Sequence, residues 1–134
     1  SAMPAYVVDR VAEVLNDRSK AVKGSKVLIV GVAYKRDVSD MRESPAIDVI
    51  ELLHKRGAHI DYVDPYVPEF REGTLVIHSL PVDLDASGYD IAVIVTDHTG
   101  FDYSRILKTV PVVFDSRAIT RKLTDVPSGK VVRL

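Results

Sequence analysis

With 134 residues, the chain is long enough to bury most of its apolar surface in one domain without disulfides or a structural metal. Its 46% hydrophobic and 28% charged content is ordinary for a globular protein, and a net charge of −1 argues against a general nucleic-acid or polyanion binder. The absence of cysteine removes disulfides, cysteine zinc sites and thiol nucleophiles together. No run approaches the ~20 apolar residues that span a bilayer. The first residues lack the basic start and apolar core of a signal peptide, so a cytoplasmic location is expected, with no membrane or nucleic-acid partner.

Residues 1–3 read as a start: Ser1-Ala2 before Met3 resembles a tag-cleavage scar. Val7, Val8, Val11, Val14 and Leu15 recur at helical spacing between Asp9, Arg10, Glu13, Asp17 and Arg18, which predicts an amphipathic helix from Pro4 to Asp17. Ser19 to Ser25 is polar and contains glycine, a short linker that closes a 4–24 segment. Val27 to Gly31 is an apolar, β-branched run, the mark of a strand buried on both faces. Ser44-Pro45 then opens a helix: serine is a good N-cap, proline suits the first turn, and Gly57 ends it as a C′ residue. His59 to Val63 reads as a second strand, completing a parallel βαβ unit. Pro65 to Gly73 is expected to be a loop and Thr74 to Ile77 a short strand or extended piece. Asp83 to Ser87 would supply one or two helical turns. Tyr89 to Val95 is a third buried strand, Phe101 to Lys108 a short helix, Val110 to Phe114 a fourth strand, and Gly129 to Leu134 a final edge strand. The fold expected of residues 25–134 is α/β, a Rossmann-like, doubly wound and mostly parallel sheet, preceded by the N-terminal helix.

Such sheets bind ligands beyond the carboxyl ends of their strands. Polar residues fall there in each case: Tyr34-Lys35 after the first strand, Asp64 after the second, Thr96-Asp97-His98 after the third, Asp115-Ser116-Arg117 after the fourth. A dinucleotide site would want Gly-x-Gly-x-x-Gly in the first turn, but only Gly31 is present, with Tyr34 and Lys35 where later glycines would stand. An aromatic ring suits a flat base, and the cations Lys35, Arg36 and Arg42 near a helix N-terminus suit phosphates, so a nucleoside diphosphate fits better than a whole NAD.

Four blocks carry a resemblance: GVAYKRDVSDMRESPAIDVIELL, YVDPYVP, TDHTGFDY and VFDSR, in that order from Gly31 to Arg117. Over about Pro4 to Arg121 the chain resembles the C-terminal, UDP-binding domain of the UDP-glucose/GDP-mannose (nucleotide-sugar 6-) dehydrogenases, the UDP-N-acetylglucosamine/N-acetylmannosamine type more than UDP-glucose dehydrogenase. That resemblance implies NAD as cofactor of the whole enzyme, bound by an N-terminal domain that also carries the catalytic cysteine. No cofactor and no catalytic residue are then expected among these residues. It implies that Lys35 contacts the UDP-sugar, that Tyr34 lies near the uridine and that Arg117 reaches the nucleotide-sugar. Ala118 stands where many relatives carry asparagine. The expected partners are the UDP-sugar, the NAD domain and a second copy in a homodimer or higher oligomer. The helix at Pro4–Asp17 would be the end of an interdomain, dimer-forming helix or a plain covering helix.

Each residue also has a plainer reading: Lys35 as a solvated lysine, Tyr34 as packing, and Arg117 as a surface arginine paired with Asp115. Asp37, Asp40, Arg42 and Glu43 form a charged loop in which Asp40 and Arg42 serve as structural support. Asp97-His98 invites a general-base reading, but no serine elbow or cysteine is there to activate, so a loop-fixing role is favoured. His54, His59 and His78 are scattered and predict no metal site. Two rivals remain: a self-standing dinucleotide module with Asp64 on the ribose hydroxyls, and a phosphorylated receiver. A receiver would want acidic residues for magnesium after its first strand, where Tyr34, Lys35 and Arg36 stand instead.

Overall fold

The computed structural model describes residues 3–33, 44–96, 98, 100–117 and 129–134. A helix α1 spans Met3–Asp17, followed by strand β1 at Lys26–Val30, helix α2 at Pro45–Lys55 and strand β2 at His59–Val63. Strands β3 (Glu69–Glu72) and β4 (Leu75–His78) come next, then β5 (Ile91–Ile94), α3 (Ser104–Thr109), β6 (Val113–Asp115) and β7 (Val131–Arg133). Five strands form one sheet in the order β2-β1-β5-β6-β7, every neighbouring pair parallel. The chain leaves β1 for β2 on one side and later returns to β5 on the other, so the order reverses at β1. The expected doubly wound sheet is therefore present, and among the described residues it is wholly parallel.

The alternation of side chains along each strand divides the core into two layers. Val27 and Ile29 of β1, Ile91 and Val93 of β5, and Phe114 of β6 face α1 and α2. Leu28 and Val30, Ala92 and Ile94, and Val113 face α3, where Ile106 and Leu107 cover them. A strand sealed on both faces has no polar side to alternate with, which is why β1 and β5 read as unbroken apolar runs. Helix α1 presents Val7, Val8, Val11, Val14 and Leu15 to the first layer, so it shares the core of the sheet. Each fully buried aliphatic side chain there stabilises the fold by about 1.5–3 kcal/mol before entropy is counted.

Both ends of α2 follow from local chemistry. Ser44 is extended and its Oγ accepts from Ala46 N at 3.1 Å, with Pro45 in the first turn where no N–H is missed. At the other end Ala58 N donates to Leu53 O at 3.1 Å and Gly57 N to His54 O at 2.9 Å. Gly57 has φ 89°, the left-handed residue that this Schellman ending requires. Asp90 fixes the start of β1, accepting from Lys26 N at 2.8 Å and pairing with Lys20 at 3.3 Å.

Four sequence expectations need correction. The stretch Pro65–Gly73 is not all loop: Glu69–Glu72 pairs antiparallel with Leu75–His78, with Glu72 opposite Leu75 and Gly73-Thr74 as the turn. Only Phe70 of β3 is fully buried, packed edge-on against Tyr62 at 6.4 Å, so the hairpin shows almost no apolar pattern. Asp83–Ser87 forms no helix. Asp85 Oδ1 accepts from Ser87 N and Ala86 N donates to Thr109 Oγ1, bonds that compete with a helical ladder. The helix placed at Phe101–Lys108 begins three residues later, at Ser104, because Asp102 Oδ1 accepts from Ser104 N at 2.9 Å and holds the preceding residues in a turn. The fourth strand is Val113–Asp115, not Val110–Phe114, since Val110 N still donates to Ile106 O and closes the α3 turn.

Candidate functional site

Because all five strands run the same way, Val30, Val63, Ile94, Asp115 and Arg133 end on one edge of the sheet. The reversal of strand order at β1 opens that edge between β1 and β5, the position where doubly wound sheets bind ligands. Gly31 follows β1 directly. It has φ +87°, and a Cβ there would stand 2.3 Å from Thr96 O and 2.6 Å from Thr96 Cβ. The turn after β1 and the end of β5 are thus in backbone contact, bridged by Val95 N to Val30 O at 2.9 Å.

Asp64, the first residue beyond β2, is fully buried and organises this edge. Its Oδ2 accepts from Val32 N at 2.8 Å and Ala33 N at 3.0 Å, and His98 Nε2 lies 2.9 Å away. Its Oδ1 accepts from Tyr66 N at 2.9 Å. A carboxylate only accepts, so His98 holds a proton on Nε2 and donates it. The cost of burying an unpaired carboxylate is large, and these donors from three strand ends offset it. The side chain of His98 is itself wholly buried, and Tyr66 lies against its ring at 4.7 Å and against Phe101 at 5.6 Å.

Ala33 is gripped from its other side as well. Its carbonyl accepts from Thr96 Oγ1 at 2.8 Å and from Ser44 Oγ at 3.2 Å. Ser44 is at once the cap of α2 and a tie to the end of the β1 turn. Ala33 directly precedes Tyr34 and Lys35 in sequence, and Ser44 directly follows Glu43.

Among the residues singled out from sequence, Tyr34, Lys35, Asp37, Asp40, Arg42, Glu43, Asp97 and Ala118 lie outside the described residues. Arg117 is described and exposed. It lines a shallow cavity with Pro45 at the start of α2, Val95 at the end of β5, and Met3 and Val7 of α1. Asp115, buried beside it, accepts from Arg117 N at 2.9 Å. A guanidinium beside the N-terminus of α2 favours an anion there. The partner of His98, Asp64, was not foreseen. Asp64 appeared in the sequence only as a candidate ribose ligand. The signal that could have found it is the Asp-Pro-Tyr step after an apolar strand, where an aspartate closes a turn onto its second neighbour.

The space beside Gly31 is filled by Thr96. The Asp64 carboxylate is spent on backbone amides and His98, so it has no exposed oxygen for a ribose. Among the described residues no group of three His, Asp or Glu side chains could hold a metal ion, and no helix is long and apolar enough to cross a membrane.

Comparison with known proteins matches residues 28–122 to the UDP binding domain of the UDP-glucose/GDP-mannose dehydrogenase family. A UDP-N-acetyl-D-mannosamine dehydrogenase from Methanococcus maripaludis is 36% identical over 99 residues, covering 74% of this chain and 22% of the relative. A UDP-glucose 6-dehydrogenase from Rhizobium meliloti is 30% identical over 140 residues, covering 89% of this chain and 32% of the relative. The structure of a UDP-D-ManNAc dehydrogenase from Pyrococcus horikoshii superposes with a TM-score of 0.76 at 25% identity, over 98% of this chain and 30% of that one. The chain spans between 22% and 32% of the length of these relatives. A parallel sheet of this order, a strand-end site and a family match over most of its residues lead to one assignment: this chain belongs to the UDP-glucose/GDP-mannose dehydrogenase family and is its UDP-binding domain.

Proposed function

We propose that this chain is the substrate-gripping part of an NAD-dependent nucleotide-sugar 6-dehydrogenase. Such an enzyme oxidises the C6 alcohol of a UDP-sugar to a carboxylate, here a UDP-N-acetylhexosamine. The observation that carries the reading is the family match over residues 28–122, which includes the ends of β1, β2, β5 and β6. In this reading Lys35 and Arg117 hold the diphosphate, Tyr34 lies by the uridine, and Asp40, Arg42, Asp97 and His98 keep the loops in shape. Residues 25–134 form the UDP-sugar-binding unit, and 4–24 the helix and linker from the interdomain connection. The chain contributes orientation, turning binding energy from the non-reacting end of the substrate into rate.

The chemistry itself is assigned to an NAD domain and a catalytic cysteine outside these residues, since this sequence holds no cysteine. The 134 residues alone are therefore inactive as a dehydrogenase. Two features support the homodimer: exposed Met3 and Tyr6 on α1, a helix whose other face packs on the core. The reaction is placed in the cytoplasm. A second reading, UDP-glucose as substrate, is favoured by the Rhizobium meliloti relative.

Calorimetric titration with UDP, and with NAD in parallel, tests the proposal on the native chain and on Lys35→Ala and Arg117→Ala. UDP binding that weakens in both variants while NAD gives no heat is the expected result. NAD binding with UDP silent would overturn it in favour of a dinucleotide module.

A further inference from the structure

We infer that Asp64 and His98 are positioning residues for the nucleotide grip, acting through the backbone of Val32 and Ala33. The inference rests on the UDP reading above and adds a mechanism to it. Asp64 is a single carboxylate shared by three strand ends: β1 through the Val32 and Ala33 amides, β2 through its own place in the chain, and β5 through His98. The Ala33 carbonyl is fixed in turn by Thr96 Oγ1 at 2.8 Å and Ser44 Oγ at 3.2 Å. Both faces of one peptide segment are thereby tied, directly before Tyr34 and Lys35 in sequence. His98 supplies the one side-chain N–H donor that Asp64 receives among the described residues, and it arrives from the turn after β5, where Tyr66 packs against it and Phe101 against Tyr66.

Plain core packing would not need this arrangement. An apolar residue at position 64 would fill the space but leave two successive amides of the β1 turn without their acceptor. The amides of Val32 and Ala33 are buried and must be paired. Their direction is set by Asp64, and the orientation of Asp64 by His98. Loss of the His98 donor frees the carboxylate to turn and loosens the segment from which the gripping residues leave. The β5 turn and the nucleotide grip are thus coupled, and a change at either is read at the other.

The test uses the 134-residue chain, labelled with nitrogen-15, and titrates UDP by NMR into the native protein, His98→Ala, His98→Gln and Ile106→Ala. Glutamine keeps an N–H donor at similar reach, and Ile106→Ala lowers stability from the opposite face of the sheet. In His98→Ala the Val32 and Ala33 amides are expected to shift and exchange faster, and UDP affinity to fall about five- to tenfold. His98→Gln is expected to restore most of both, and Ile106→Ala to leave the two amides and the affinity in place. An equal loss of affinity in Ile106→Ala, or unmoved Val32 and Ala33 amides in His98→Ala, would overturn the positioning role. Amides that respond as expected in a chain to which UDP never binds would instead sink the nucleotide reading and leave the anchor standing.

Discussion

Gly31→Ala puts the strand-end geometry to its hardest test. A methyl group there would meet Thr96 O at 2.3 Å, Thr96 Cβ at 2.6 Å and Thr96 Cα at 2.8 Å, and two of these three atoms are backbone. None of them can swing away as the end of a flexible side chain could. Relief requires β1 and the end of β5 to part, which strains the bonds from Val95 N and Thr96 N to Val30 O, at 2.9 and 3.3 Å. Overpacking of this kind costs about 1–3 kcal/mol and a lost backbone hydrogen bond about 1 kcal/mol more. The left-handed conformation, φ +87°, adds about 1–2 kcal/mol for any residue with a Cβ. The sum is about 3–6 kcal/mol, or a fall in Tm of roughly 10–25 °C for a domain of this size. Gly24→Ala separates the two contributions, because Gly24 has φ +84° but nothing within 4 Å of its would-be Cβ. Urea unfolding of both variants should place Gly24→Ala near the backbone strain alone and Gly31→Ala well beyond it. Equal losses would refute the close approach of Thr96 to the β1 turn.

Phe70→Ala should cost about 3–5 kcal/mol, since this fully buried ring is what seats the β3–β4 hairpin against Tyr62. A loss under 1 kcal/mol in denaturant unfolding would mean the hairpin is an ornament on the sheet. Alkaline unfolding should have a tyrosine signature. Burial, with Asp64 and Glu69 nearby, raises the Tyr62 phenol well above its ordinary 10.0, and burial with the hydrogen bond to Asp61 raises Tyr89 likewise. Here the folded state keeps a proton that the unfolded chain releases. The stabilisation is therefore complete below pH 10.0 and is lost as pH climbs past it. Phenolate absorbance followed against circular dichroism should show both phenols ionising only with unfolding, and Tyr89→Phe should remove one of the late steps; early ionisation of both would contradict their burial.

What was legible in the sequence depended on how far apart the interacting groups lie along the chain. Strands β1 and β5 and the caps of α2 are written locally, as unbroken apolar runs and as Ser44-Pro45 and Gly57. Strand β3 was missed because it buries one ring, Phe70, in a run reading Glu-Phe-Arg-Glu. The short turn at Asp83–Ser87 was misread because helix-compatible residues there bond through side chains instead. The edge of the sheet on which the candidate site is placed followed from parallel strands alone. Asp64 was not visible as an organiser, because Ala33 and His98 lie 31 and 34 residues from it. No local pattern encodes a bond between such groups; only the βαβ path brings them together.

That path also bears on how the proposed division of labour could work. Binding energy from a nucleotide raises the rate of a reaction at the distant sugar only if the grip is held at a fixed position and angle, and a misplacement of about 1 Å can cost 10²-fold. A loop rooted in a single hydrogen bond would waste that energy in its own motion. Here the root is the peptide around Ala33, whose N–H is set by Asp64 and whose carbonyl is set by Thr96 and Ser44. Those four residues come from the ends of β1, β2 and β5 and the start of α2, the most deeply packed elements of the fold. The rigidity of the sheet is thus delivered to the residue from which Tyr34 and Lys35 depart. In the proposed function the polar residues buried at the strand ends serve substrate orientation without touching substrate, and an apolar residue in place of Asp64 would leave the Val32 and Ala33 amides without an acceptor.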